Sequence, residues 1–289
     1  MKLVPLAAVA VLTFSASAAY AVPSVWAVES SATNAYAELF GQDGAVVRQV
    51  SLGAGIDPRG IAIVGSVGYV SAALSDSGST GGVIRQFDLT TGAVLGTVST
   101  NVVLGSLSYD GTGFWAADQG GGRNAYHVTL AGVQDRAPVQ LSPTVANPGG
   151  LDYFTRSGTS FLIASHGPAD ASAVYDLYSP AGTVVTPGLL SGVPNGSGVV
   201  YDSASGSFVV ASSDGTGDGS LLTYGFNGTL LSSTALGGTS PDSGFGNVRF
   251  LTDLALAPSA VTSPVPEPMT LGLLAASLGM LGLMRRRQA

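Results

Sequence analysis

Between residues 22 and 258 the apolar positions never settle into a helical period. They fall into short runs of β-branched and aromatic residues, cut by Gly, Asp, Asn and Ser. That pattern predicts strands joined by tight turns. One run recurs as an aromatic residue followed by small or apolar ones: Tyr69-Val70-Ser71-Ala72, Phe114-Trp115-Ala116-Ala117, Phe161-Leu162-Ile163-Ala164 and Phe208-Val209-Val210-Ala211. The aromatic leaders lie 45, 47 and 47 residues apart, and Val25-Trp26-Ala27-Val28 fits one period earlier.

Each marker has the same neighbours. Before it stands a strand that opens with Gly, at Gly60, Gly105, Gly150 and Gly198. Gly-rich turns such as Asp110-Gly111-Thr112-Gly113 join the two. After it come a Gly/Ser/Asp loop, a third strand such as Ile84-Arg85-Gln86-Phe87, and a fourth such as Val94-Leu95-Gly96-Thr97. Four strands in about 45 residues make a β-propeller blade. Residues 57–100, 104–142, 148–191 and 197–237 form four whole blades. Residues 22–52 supply three strands without a first, and the stretch from Val248 to Leu256 supplies a lone first strand. Pairing the two closes a ring of about five blades, which removes the open edges of a linear array. A β-sandwich or an irregular β-solenoid is the other architecture compatible with the pattern. The segment Pro58-Arg59-Gly60-Ile61-Ala62, with Gly68-Tyr69-Val70 and Phe87-Asp88, resembles the YVTN/NHL/SMP-30 class of propeller repeats.

Composition agrees with buried strands. Only 10% of the 289 residues are charged, against roughly 25% in an ordinary soluble domain. There is one lysine, Lys2, and residues 22–264 carry seven arginines against 17 carboxylates, a formal charge of -10. No basic stripe exists for phosphate neutralisation, which excludes nucleic acid as a partner on charge grounds. The absence of Cys excludes disulfides, thiolate nucleophiles and zinc-thiolate sites.

The two ends differ from the middle. Met1-Lys2 precedes an apolar run over 3–14, and small residues lead to Ala19-Tyr20-Ala21. This is the pattern of a secretory signal helix, cut after Ala21 or, alternatively, after Ala19. At the other end, a Pro/Ser linker over 259–264 precedes Val265-Pro266-Glu267-Pro268. An uncharged run over 269–284 and then Arg285-Arg286-Arg287 follow. As a helix the run spans about 24 Å, a short crossing of a bilayer core of about 30 Å. The arginines place the far end in the cytoplasm, and the signal peptide places residues 22–258 outside it.

The Pro-Glu-Pro motif, the apolar segment and the arginine cluster together resemble the PEP-CTERM sorting tail over 265–289. That tail occurs on exported proteins of Gram-negative bacteria that make exopolysaccharide. The resemblance implies a precursor held briefly in the inner membrane. A membrane-embedded exosortase would then cut it near Pro266-Glu267-Pro268 and release it to the cell surface or the medium. A plain C-terminal anchor that stays uncut is the alternative.

Candidate chemistry is sparse. Axial metal ligands would come from the inner strands, near Arg59, Ser106, Asn147, Asn195 and Asn247, with Asp152 the one acid among them. The Asn-Gly pairs read first as turns, and Asp152 as a turn or strand-end residue. Residues 214–219 begin like a calcium loop, but Gly225 stands where the bidentate Glu belongs. No cofactor is expected; calcium is the one possible exception. His127 reads as a strand residue and His166 as a loop residue. No G-x-S-x-G, H-E-x-x-H or P-loop is present. These observations predict an exported β-propeller with a binding or structural role at the cell surface or in exopolysaccharide matrix. The alternatives are a metal-dependent, lactonase-like propeller hydrolase or lyase, and a permanently anchored protein of the periplasmic membrane face.

Overall fold

The computed structural model describes residues 23–29, 35–53, 56–74, 81–118, 122–141, 149–166, 172–213, 219–237 and 251–258. The signal segment with Ala19 and Ala21, the sorting motif Val265 to Pro268, the run over 269–284 and Arg285 to Arg287 lie outside them. So do Asn147, Asn247 and the calcium-like loop at 214–218. Among the described residues no helix is long and apolar enough to cross a membrane.

The described chain is all β, in five four-stranded antiparallel sheets. One blade is β4 (Ile56–Val64), β5 (Val67–Leu74), β6 (Gly82–Asp88) and β7 (Val94–Thr100). The next is β8 (Leu104–Tyr109), β9 (Gly113–Asp118), β10 (Asn124–Thr129) and the short β11 (Val139–Gln140). The third is β12 (Leu151–Arg156), β13 (Thr159–His166), β14 (Ala173–Tyr178) and β15 (Val184–Val193). The fourth is β16 (Gly196–Asp202), β17 (Ser207–Ser213), β18 (Gly219–Gly225) and β19 (Leu230–Ala235).

The fifth blade joins the two ends of this part of the chain. β1 (Val25–Glu29), β2 (Ala35–Phe40) and β3 (Val46–Gly53) are completed by β20 (Leu251–Leu256), in the order β20-β1-β2-β3. β20 lies antiparallel to β1, with Val25 opposite Leu256 and Ala27 opposite Leu254. The predicted closure is the observed one. The innermost strands β4, β8, β12, β16 and β20 pack in that cyclic order, and β20 returns to β4.

The core is divided among five blade-to-blade interfaces, and period-2 alternation explains how. Phe114 and Ala116 on β9 face β4 and β6, joining Ala62 and Ile84. Trp115 and Ala117, one residue on, face the third blade, joining Leu162, Ala164 and Tyr178. Phe208 and Val210 likewise join Phe154 and Ile163, while Val209 and Ala211 join Val25, Ala27 and Phe40. Both faces of each middle strand are therefore buried. That is why the markers are small or apolar at every position after the aromatic leader and why so few sites remain for Lys or Glu.

The Gly expected to open each inner strand stands just before the strand at Gly150 and within it at Gly60, Gly105 and Gly198, and it has a steric cause. Around a narrow axis the inner strands converge backbone to backbone. A Cβ on Gly60 would come within 2.3 Å of the Gly105 carbonyl oxygen, and one on Gly150 within 2.1 Å of the Ser197 carbonyl oxygen.

Candidate functional site

Each inner strand presents an unpaired edge to the axis, so its N–H groups need acceptors other than a neighbouring strand. Two aspartates supply them. Asp253 on β20 is fully buried. Its Oδ2 accepts the N–H of Ile61 at 2.9 Å and the N–H of Leu107 at 3.0 Å. Asp152 on β12 accepts the Ser108 hydroxyl at 2.5 Å on Oδ1 and the Tyr201 N–H at 2.7 Å on Oδ2. Ser108 Oγ in turn accepts the Tyr153 N–H at 2.9 Å. Between them, the two carboxyl groups link all five inner strands.

The cost is electrostatic. Burial pushes the Asp152 carboxyl up to about 7, against the opposing pull of Ser108 and the amides of Tyr201 and Tyr153. Burial also holds Asp253 well above the usual carboxylate range, against the amides of Ile61, Leu107 and Leu254, and the charge of Asp152 adds to the rise. Asp253 Oδ1 has no hydrogen-bond partner.

Beside these groups the axis opens into a cavity of about 210 Å³, walled by Ile61, Leu107, Asp152, Val200 and Leu254 among others. Its walls are mostly aliphatic side chains and inner-strand backbone, with Asp152 as the acidic group. Among the described residues no cluster of three His, Cys, Asp or Glu side chains is placed to hold a metal ion.

Of the expected axial candidates, Arg59, Ser106 and Asn195 are among the described residues and are used locally. Arg59 is ion-paired with Asp57, and the Ser106 hydroxyl is buried without a partner. Asn195 takes a left-handed φ of 40° in the turn leading into β16, which is the expected turn chemistry. Asp152 lies near the start of its strand, as expected, being the second residue of β12; the unforeseen part is that it is buried, 7% exposed, and bonded across the axis. His166 is the last residue of β13 rather than part of a loop.

A second cluster was half visible in the sequence. His127, on β10, is fully buried. Its Nδ1 lies 2.6 Å from Asp135 Oδ1 and its Nε2 lies 3.1 Å from Asp110 Oδ2. The Trp115 ring packs edge-on against the imidazole at 5.3 Å. Asp110 also organises the β8–β9 turn, accepting the Thr112 N–H, the Thr112 hydroxyl and the Gly113 N–H. Burial opposes its charge, but those bonds and His127 hold its carboxyl below the usual value. Asp135 is held low chiefly by its hydrogen bond to His127. The arrangement clamps a turn and a loop to the middle of a blade, and it contains no nucleophile. Asp110 and Asp135 had no signal in the sequence beyond ordinary turn composition.

No protein-family model and no curated protein sequence matches the chain. Among solved structures it is similar to a chain of a nidogen/laminin complex, with a TM-score of 0.51 and 11% identity over 82% of this chain and 99% of that one. It is also similar to a bifunctional GH43-CE protein of Bacteroides eggerthii (TM-score 0.48, 11% identity, 82% of this chain and 36% of that one). A third similar structure is the glutaminyl cyclase of Myxococcus xanthus (TM-score 0.42, 14% identity, 62% and 70%). At such identities the likeness extends to the fold alone. The class defined by fold and site is a five-bladed β-propeller with a carboxylate-latched axis.

Proposed function

We propose that this chain is an exported, sorted β-propeller with a non-catalytic binding or structural role at the cell surface or in an exopolysaccharide matrix. Its precursor is inserted in the inner membrane through residues 269–284, oriented by Arg285, Arg286 and Arg287. An exosortase-type enzyme cuts it near Val265-Pro266-Glu267-Pro268. The support for this route is the pair of terminal segments in compatible orientations.

The observation that carries the non-catalytic reading is the use made of the axial acids. In a metal-dependent propeller hydrolase, carboxylates at the axis would face the metal. Here both oxygens of Asp152 and Oδ2 of Asp253 accept hydrogen bonds from inner strands. They act as struts of the ring.

The test uses the full-length chain purified in detergent. It is passed over immobilised exopolysaccharide and, separately, incubated with lactone and ester substrates, with and without calcium or zinc. The expected result is retention on polysaccharide, no metal-dependent turnover and no metal-dependent rise in Tm; a tightly bound ion would raise Tm through RT ln(1 + [L]/Kd). Metal-dependent turnover would replace this reading with the hydrolase one.

A further inference from the structure

A groove of about 450 Å³ lies on the surface between the third and fourth blades, away from the axis. Arg156, at the end of β12, forms one side. The β16–β17 turn with Ser205 and Gly206, the β18–β19 turn with Phe226 and Asn227, and Leu231 at the start of β19 form most of the rest. Its volume falls in the range of small-ligand sites.

Arg156 is held there from below. Phe208, in the core, stacks on Phe226 with ring centroids 5.6 Å apart and planes 24° apart. The Arg156 guanidinium carbon lies 3.8 Å above the Phe226 centroid. The backbone fixes it as well, because Arg156 immediately precedes a tight hairpin turn in which Ser157 and Gly158 both have positive φ (50° and 78°). The residue is exposed and, among the described residues, makes no ion pair. The guanidinium carbon stands over that ring and Arg156 lines the groove, so its N–H fork is among the groups a ligand there would meet. That fork matches a carboxylate in bidentate fashion.

The remaining lining is suited to a polyol. Ser205, exposed, donates its hydroxyl to Asp202 Oδ2 at 2.6 Å and accepts from the Ser207 hydroxyl at 2.6 Å, which leaves one lone pair as an acceptor. Asn227 Oδ1 accepts the Thr229 N–H at 3.1 Å, so the NH₂ end is the one the turn does not use. Leu231 adds an apolar patch, 36% exposed. A fixed cation, neutral acceptors and donors, and a small apolar surface together fit one sugar ring bearing a carboxylate. The body's charge of -10 repels polyanion segments that approach within the Debye length, about 8 Å at physiological ionic strength, which favours isolated acidic residues in a largely neutral chain.

We infer that the groove between Arg156, Ser205 and Asn227 binds a carboxylate-bearing sugar residue of a surface polysaccharide. This rests on the matrix-binding reading above. The probes are glucuronic acid, glucose and glutarate, titrated calorimetrically into the full-length chain in detergent. Wild type is expected to bind glucuronic acid at least tenfold more tightly than glucose or glutarate. Arg156→Gln loses at least tenfold of that affinity. Arg156→Lys loses several-fold, because a point charge lacks the fork and the stacking plane.

The site is overturned if Arg156→Gln and Arg156→Lys bind glucuronic acid like wild type. It is overturned equally if glucose or glutarate binds as well as the acid sugar, the latter making it a general carboxylate site. Retention on exopolysaccharide that survives Arg156→Gln overturns this site but leaves the matrix-binding reading standing. Loss of all polysaccharide binding in the wild type overturns both.

Discussion

The carboxylate of Asp253 accepts the backbone N–H of Leu107 at 3.0 Å, joining residues 146 positions apart across the propeller axis. The same oxygen accepts the Ile61 N–H. A side chain of the last strand therefore ties down the inner edges of two other blades. Asp253→Ala would leave two buried N–H groups without an acceptor, a loss of roughly 2–5 kcal/mol. Asp253→Asn keeps an acceptor oxygen and should lose less than half as much. Urea unfolding of the two variants against wild type checks the order; equal losses would contradict the latch.

The pH profile should have two limbs of opposite sign. Asp152 has its carboxyl raised to about 7, so the folded state holds its proton more tightly than the unfolded chain does. Its protonated form is favoured below the usual value of 3.8, and stability falls as pH rises from about 4 through 7. Asp110 and Asp135 are lowered. Their contribution is present above the ordinary carboxylate value and is lost as pH falls through it. Stability should therefore be greatest close to pH 4, where the two limbs meet. Asp152→Asn should make the upper limb shallower, leaving the part due to the likewise raised Asp253, and leave the acid limb unchanged, as read from unfolding midpoints at several pH values.

His127 fills a fully buried position and joins Asp110 to Asp135. His127→Ala removes packing against Trp115 and both hydrogen bonds, and should destabilise by roughly 2–4 kcal/mol. Asp135→Asn should cost much less, since Asp135 is largely solvent-facing and a partial partner remains. Thermal denaturation followed by Trp fluorescence measures both.

Gly150 sits where a Cβ would meet the Ser197 carbonyl oxygen at 2.1 Å. Gly150→Ala must push the third and fourth blades apart at the axis and should lower Tm by several degrees. A variant with unchanged Tm would mean that the inner strands are not as close as described.

These particulars show what the sequence could and could not reveal. The five-fold repeat was legible because each marker strand is buried on both faces, so its apolar run survives even where the flanking motif has drifted. The pairing of β20 with β1 was legible from a missing first strand at one end and an extra one at the other. The axis was not. Asp152 reads as a strand-end acid because nothing local distinguishes an aspartate that caps edge N–H groups on another blade. Asp253 carried no signal at all, since its partners Ile61 and Leu107 lie far away in the chain. His127 could be placed on its strand, but its two carboxylate partners come from turns, where Asp is ordinary. The Arg156 groove was invisible for the same reason: its lining comes from turns of two different blades.

The central claim is that an exported propeller is freed of both terminal segments before it acts. The most direct test is the intact mass of the native protein, taken separately from membrane, cell-surface and medium fractions. The account predicts an extracellular species lacking residues 1–21 and everything after about residue 264. A single membrane-bound species that retains residues 269–289 would contradict it, making the tail a permanent anchor and moving the protein's work to the periplasmic face of the membrane.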